Sequence, residues 1–370
     1  MQAIGFRSDI NFLRAIAVIL VVVFHFSNTL LPGGFVGVDI FFAISGYLMT
    51  GIIFSQIQAN TFSLISFYLA RAKRIIPALA FMVLCVLLYA WFYLYDVEFI
   101  NLLKHAFSSL LFYSNVVYWQ EAGYFSASSH QNWLLHTWSL SVEWQFYIVY
   151  PIILLALTRI VGLRWTKLLV IVGAIASFAA SVYASNIWPD PAYFSLPTRA
   201  WQMMVGGIAF LFPVALSATN KKAISLLGLS FMLLSAIWVS SEMAWPAWPS
   251  ILPILGAYLF LIANASNQVS LYNTAIFTFT GRWSYSIYLW HWPVVVWMNN
   301  QSFAIDMWVI GMGIALSVLL GALSFRAIEQ RRAPLLYIVV FSTTTFFAAT
   351  AHNVGLGSQS YRAISHSTGN

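Results

Sequence analysis

Between residues 12 and 352 the chain is a succession of apolar runs, each close to the roughly 20 residues that an α-helix needs to cross a hydrocarbon layer. These runs predict helices over 12–31, 36–55, 75–95, 136–157, 167–186, 200–216, 222–241, 251–265, 283–299, 306–325 and 334–352. Such a series leaves no room for a large water-soluble domain. Only 7% of the residues are charged, against about 25% in ordinary soluble domains. A water-soluble enzyme and a disordered chain are excluded by that composition, and no repeat of fixed period is visible. The expected class is an all-α polytopic membrane protein with eleven crossings.

A formal net charge of +7 would suit a nucleic-acid surface if it were clustered. Here the basic residues punctuate apolar runs and read as loop anchors, so no nucleic-acid partner is expected. With the amino terminus inside, the inner side holds Arg7, Arg14, Arg71, Lys73, Arg74, Arg159, Arg164, Lys167, Lys221, Lys222, Arg282, Arg326, Arg331 and Arg332, leaving Lys104, Arg199 and Arg362 outside. The polar stretch 101–118 tests this arrangement. If it crossed, nine of the inner cations would move outside, so it is read as an outer-face or re-entrant helix and the carboxyl terminus is placed outside. The segment 56–74 reads as an inner loop ending in Arg71-Ala72-Lys73-Arg74, 96–135 as the longest outer loop, and 353–370 as an exposed linker. No cleavage pattern follows the first run, which therefore reads as a retained helix. Cys85 is the single cysteine, which excludes an intramolecular disulfide and a thiolate zinc site; no metal is expected.

Ionisable groups at membrane depth are costly, and each is a candidate for function. Arg14 and His25 lie eleven residues apart, so at about 100° per residue they fall within about 20° of one helix face, separated by roughly 16 Å of rise. Spacings of three and seven place His136, Ser139 and Glu143 on one face, where Glu143 can pair with a histidine or lock two helices together. Asp39 opens the second helix, where the helix dipole favours an anion, and a contact with His25 across the short turn is expected. Ser284, Tyr288 and His291 form a third stripe. Arg71 and Arg74 are neighbours if their stretch is helical, and their guanidinium forks suit phosphate, whether of a ligand or of lipid headgroups.

Taken together, the Arg14 to His25 spacing, the run from Gly33 to Leu48, Arg71-Ala72-Lys73-Arg74, Thr137-Trp138-Ser139-Leu140-Ser141-Val142-Glu143 and the run from Ser284 to His291 resemble the acyltransferase-3 family of membrane O-acyltransferases. The resemblance covers residues 7 to 332, with motifs in the family's order. It implies an acyl-CoA-dependent O-acetyltransferase of the bacterial inner membrane, with acetyl-CoA as cytoplasmic co-substrate and a sugar hydroxyl of an envelope glycan, or a lipid-linked sugar, as acceptor. The surroundings of Tyr147 to Pro151 resemble the branch that acts on lipopolysaccharide O-antigen. By the same resemblance His25 is the essential histidine and Glu143 the acidic position of the Trp-Ser-Leu motif; as a catalytic partner, either Glu143 or Asp39 is expected to fix the tautomer of His25 and stabilise its imidazolium. Arg14, Arg71 and Arg74 then hold the donor, while His136, Ser139, Ser284, Tyr288 and His291 contact substrate. The implied division is a membrane domain over 1–332, an additional helix over 333–352 and the linker 353–370. Many relatives carry a periplasmic SGNH-type domain beyond that point, so this chain is expected to be truncated or a stand-alone member. A transporter of an acyl donor or a lipid-linked sugar is the alternative; it would show inverted repeats with matching broken helices, and no such pairing is seen.

Overall fold

A computed structural model describes residues 7–122, 131–264, 274–301 and 306–331. Among them the chain is helical, with no strand: α1 (Ser8–Phe26), α2 (Gly37–Gln58), α3 (Leu64–Tyr93), α4 (Asp96–Leu110), α5 (Ser114–Glu121), α6 (Thr137–Ile187), α7 (Pro189–Phe194), α8 (Leu196–Leu211), α9 (Ala218–Trp238), α10 (Ile251–Ala263), α11 (Ala275–Asn300) and α12 (Met307–Ser324). Six helices, α1, α2, α3, α6, α9 and α12, are long and apolar enough to cross a membrane. Of the eleven predicted helices, ten fall on observed helices; 334–352 and the tail lie outside the described residues. The count of span-length helices is lower than predicted for identifiable reasons. α8 and α10 have 16 and 13 residues, α11 carries Arg282, His291 and asparagines, and α6 joins the two runs predicted at 136–157 and 167–186. The only interruption in α6 is Gly162, whose φ of 78° and ψ of 166° suit glycine and turn the chain without a loop.

The stretch 101–118 forms two short helices, α4 and α5, broken where Phe112 takes a positive φ of 57°. They are pinned to α6 by buried hydroxyls: Thr137 bonds Ser109 (2.7 Å) and Ser114 (3.0 Å), and Ser114 bonds Ser141 (2.8 Å). The segment read as the inner loop 56–74 is in part helical. α3 begins at Leu64, capped by the Ser63 hydroxyl on the Ser66 N–H, so Arg71 and Arg74 sit one turn apart on a 30-residue helix. Arginine, lysine and alanine are good helix formers, and charge alone does not end a helix.

Two close packings place the functional side chains. α1 lies against α11, fixed by Asn11, whose Nδ2 donates to the carbonyls of Phe277 and Thr278 (3.1 and 3.0 Å). α2 lies against α8 with backbones nearly touching: a side chain at Gly46 would run into the backbone of Met203, and one at Gly206 into that of Ala43. Where lipid gives no hydrophobic drive between helices, such small-residue contacts supply the packing. Exposed aromatic rings stand near helix ends, Trp91 and Tyr93 on α3, Trp238 on α9 and Trp308 on α12, as for rings at a membrane–water interface.

Candidate active site

The amino-terminal half of α1 faces a cavity of about 90 Å³ lined by Arg14, Ser45, Arg71, Arg74, Glu143, Tyr147, Tyr285 and Tyr288, with apolar residues between them. Three guanidiniums against one carboxylate make this space anion-attracting. Arg14 Nε donates to Ser284 Oγ (3.1 Å), and the Nε of Arg71 is buried with no hydrogen-bond partner. Glu143 accepts from Ser45 and from Tyr147 (2.5 Å), and Tyr285 fastens α11 to α3 through the Ile75 carbonyl (2.7 Å). An orphaned guanidinium N–H in a cavity of net positive charge fits a phosphate-bearing ligand.

At the other end of α1 a larger cavity, about 580 Å³, is lined by His25, His136, Tyr288, Trp138, Tyr193, Phe194, Trp292 and the polar residues Asn28, Ser241 and Asn299. His25 Nδ1 lies 3.0 Å from His291 Nε2, and His291 Nδ1 lies 2.5 Å from the Tyr288 carbonyl. A carbonyl only accepts, so His291 Nδ1 carries the proton; its Nε2 accepts from His25 Nδ1–H, which leaves Nε2 as the basic nitrogen of His25. His136 is buried, its ring centroid 5.7 Å from that of His291. The two cavities share Val38 and Tyr288 as lining residues. The Tyr288 hydroxyl is held at that boundary, donating to the His136 carbonyl (2.9 Å) and bonding Ser139 (2.7 Å).

Most of the predicted residues thus converge. Arg14, Arg71, Arg74, Ser139 and Glu143 line the arginine cavity, His25 and His136 the histidine cavity, and Tyr288 both. Ser284 and His291 stand behind Arg14 and His25, so the stripe on α11 faces the stripe on α1. Two expected contacts differ. Glu143 meets Ser45 and Tyr147 rather than a histidine, because seven residues carry it roughly 10 Å along α6 from His136, into the arginine cavity. Asp39 meets Arg199 (2.8 Å) rather than His25: the first turn of α2 faces α8, and both side chains are 1% exposed. The basic Arg199 read as an outer-loop cation is therefore a buried one, its guanidinium 4.6 Å from the Tyr193 ring centroid and 5.2 Å from that of Trp138. Sequence reasoning also passed over Ser45 and Tyr147. The second stands four residues after Glu143, a spacing that brings side chains together on a helix. Among the described residues no three His, Cys, Asp or Glu side chains group as metal ligands.

Comparison with known proteins bears on this arrangement. An acyltransferase domain family matches residues 7–328. Peptidoglycan O-acetyltransferase OatA of Listeria monocytogenes is 31% identical over 351 residues, covering 87% of this chain and 55% of that protein. O-acetyltransferase OatA of Staphylococcus aureus is 31% identical over 336 residues, 86% of this chain and 55% of the relative. A protein named as a membrane-bound transacylase, BcsY of Komagataeibacter xylinus, is 31% identical over 328 residues, 88% and 82% of the two chains. The chain thus spans about half the length of the OatA relatives. No solved structure matches it. With a family match over residues 7–328 that takes in both cavities and the pair His25 and His291, the chain belongs to the acyltransferase-3 family of membrane acyltransferases.

Proposed function

We propose that the protein moves an acetyl group across the membrane, from acetyl-CoA bound at the arginine cavity to a sugar hydroxyl of an envelope glycan bound at the histidine cavity. The observation that carries this reading is that Val38 and Tyr288 line both cavities, which brings the two within one side chain of each other, with His25 in the wall of the second. Arg14, Arg71 and Arg74 hold the phosphates of the donor, and the pantetheine arm follows α1. The rise from Arg14 to His25, roughly 16 Å by helix geometry, is the distance this arm has to cover. Basic residues gather at the arginine end of the helices, which supports placing that end in the cytoplasm and the histidine end outside the bacterial inner membrane.

His25 Nε2 takes the proton of the sugar hydroxyl as its oxygen attacks the thioester carbonyl. The carbon–sulfur bond breaks, and the thiolate recovers the proton from the imidazolium. In the covalent variant of the same step, Nε2 itself attacks, releases CoA and hands the acetyl group to the hydroxyl. His136 lines the cavity where the acceptor would sit, and Trp138 and Tyr193 offer flat faces to a sugar ring. Asp39 serves by neutralising Arg199 and so fixing that aromatic wall. The names of the OatA relatives favour peptidoglycan as acceptor, while the local likeness around Tyr147 favours O-antigen.

The test is transfer from labelled acetyl-CoA to glycan extracts by purified protein, with mass spectrometry naming the sugar. His25→Ala is expected to lower acetylation at least about a hundredfold while the protein remains monodisperse. Full activity in that variant removes the assignment. Label that crosses vesicles without ester formation identifies a carrier instead.

A further inference from the structure

On the flank of α11 away from the arginine cavity there is a second basic recess that the transfer reaction does not use. It is an open cleft of about 460 Å³ between α11 and the end of α12, lined by Arg282, Trp283, Arg326 and Arg331, with Phe325 and Gln330. Three guanidiniums face one space, and among the described residues no carboxylate lines it. Its wall is built by a local irregularity: α12 ends in a π turn over Phe325–Glu329, closed by the Gln330 N–H on the Phe325 carbonyl (3.0 Å). In that wider turn residues five apart come onto one side, which is how Phe325 and Gln330, and Arg326 and Arg331, all reach the cleft. Single π turns recur where a helix serves a ligand. The same turn puts Glu329 elsewhere, on the Ser286 hydroxyl (3.0 Å), so the acid nearest in sequence does not neutralise the cleft. Arg326 lies over the Trp283 ring at 5.9 Å, a stack that holds the guanidinium in place and leaves an aromatic wall beside it.

A membrane-surface anchor needs none of this. Arg159 and Arg164, either side of the Gly162 break in α6, are exposed as Arg282, Arg326 and Arg331 are, but they line none of the three cavities. We propose that the cleft between α11 and α12 is a binding site for a phosphate ester, the chemistry shared by a nucleotide and by the headgroup of an anionic lipid. Guanidinium forks match phosphate oxygens, and several donors on one phosphate make charge-assisted bonds that a lone surface arginine cannot. The site is independent of the acetyl-transfer reading, because its ligand need not carry a thioester.

The two sources are separated by two probes on the full chain in phosphatidylcholine nanodiscs. Adenosine 3′,5′-bisphosphate is titrated calorimetrically, and phosphatidylglycerol is titrated into the discs with binding read by native mass spectrometry. The double variant Arg282→Gln with Arg326→Gln is expected to weaken one of the probes about tenfold or more. Loss confined to the nucleotide names a soluble ligand; loss confined to the lipid names a headgroup. Arg159→Gln with Arg164→Gln should leave both affinities unchanged. Should the cleft variant fail to fold, Trp283→Leu and Arg331→Gln, the latter on the exposed last turn, are expected to weaken the same probe. Affinities for both probes that stay within about twofold of the parent, or an equal loss in the α6 control, overturn the proposal.

Discussion

In the pair formed by His25 and His291 the orienting group is an imidazole whose own tautomer is set by the Tyr288 carbonyl. Such a partner fixes the ring and its protonated nitrogen without placing a second charge at membrane depth, where an unpaired carboxylate would be costly. On the proposed role, His291→Ala lowers kcat by about tenfold to a hundredfold, with KM for the donor nearly unchanged. His291→Gln restores part of it, since its amide can donate to Tyr288 and accept from His25. A rise in KM with kcat intact would instead make His291 part of a binding surface. The buried charge on Arg199 has a structural duty. Removing one member of a fully buried ion pair costs about 3–5 kcal/mol, so Arg199→Met should unfold at markedly lower temperature in detergent, and adding Asp39→Leu should recover part of the loss. An unchanged unfolding temperature in the single variant would show that the pair adds nothing.

At the scale of helices, the contact between α2 and α8 depends on glycine at two facing places. Gly206→Leu would force Ala43 and its helix away, and with it Ser45, a partner of Glu143; the expected result is aggregation on size exclusion rather than a milder loss of activity. A monodisperse, active variant would contradict that packing. The stripes Arg14 with His25, and Ser284, Tyr288 with His291, were legible because a 3.6-residue period fixes which side chains share a face, and the structure sets these two stripes against each other. What periodicity cannot give is which neighbouring helix a face meets. Asp39 was read against the nearest polar residue across a turn, whereas its partner is 160 residues away on α8. The start of α3 falls earlier than the apolar pattern indicates because Arg71, Lys73 and Arg74 interrupt that pattern after an apolar opening at Leu64 to Ala70, while remaining fully compatible with helix.

For the whole molecule, the two ends differ in chemistry: arginines and a carboxylate at one cavity, histidines and aromatic rings at the other, with Val38 and Tyr288 common to both. On the proposed function, that asymmetry, rather than any one residue, is what a transferase working across the bilayer needs and an enzyme drawing both substrates from one side does not. The measurement that reaches this most directly is transfer in proteoliposomes with labelled acetyl-CoA sealed inside and glycan supplied only outside. Labelled ester on the external glycan, absent with His25→Ala, is the expected result. Ester that forms only when donor and acceptor share a compartment would contradict it.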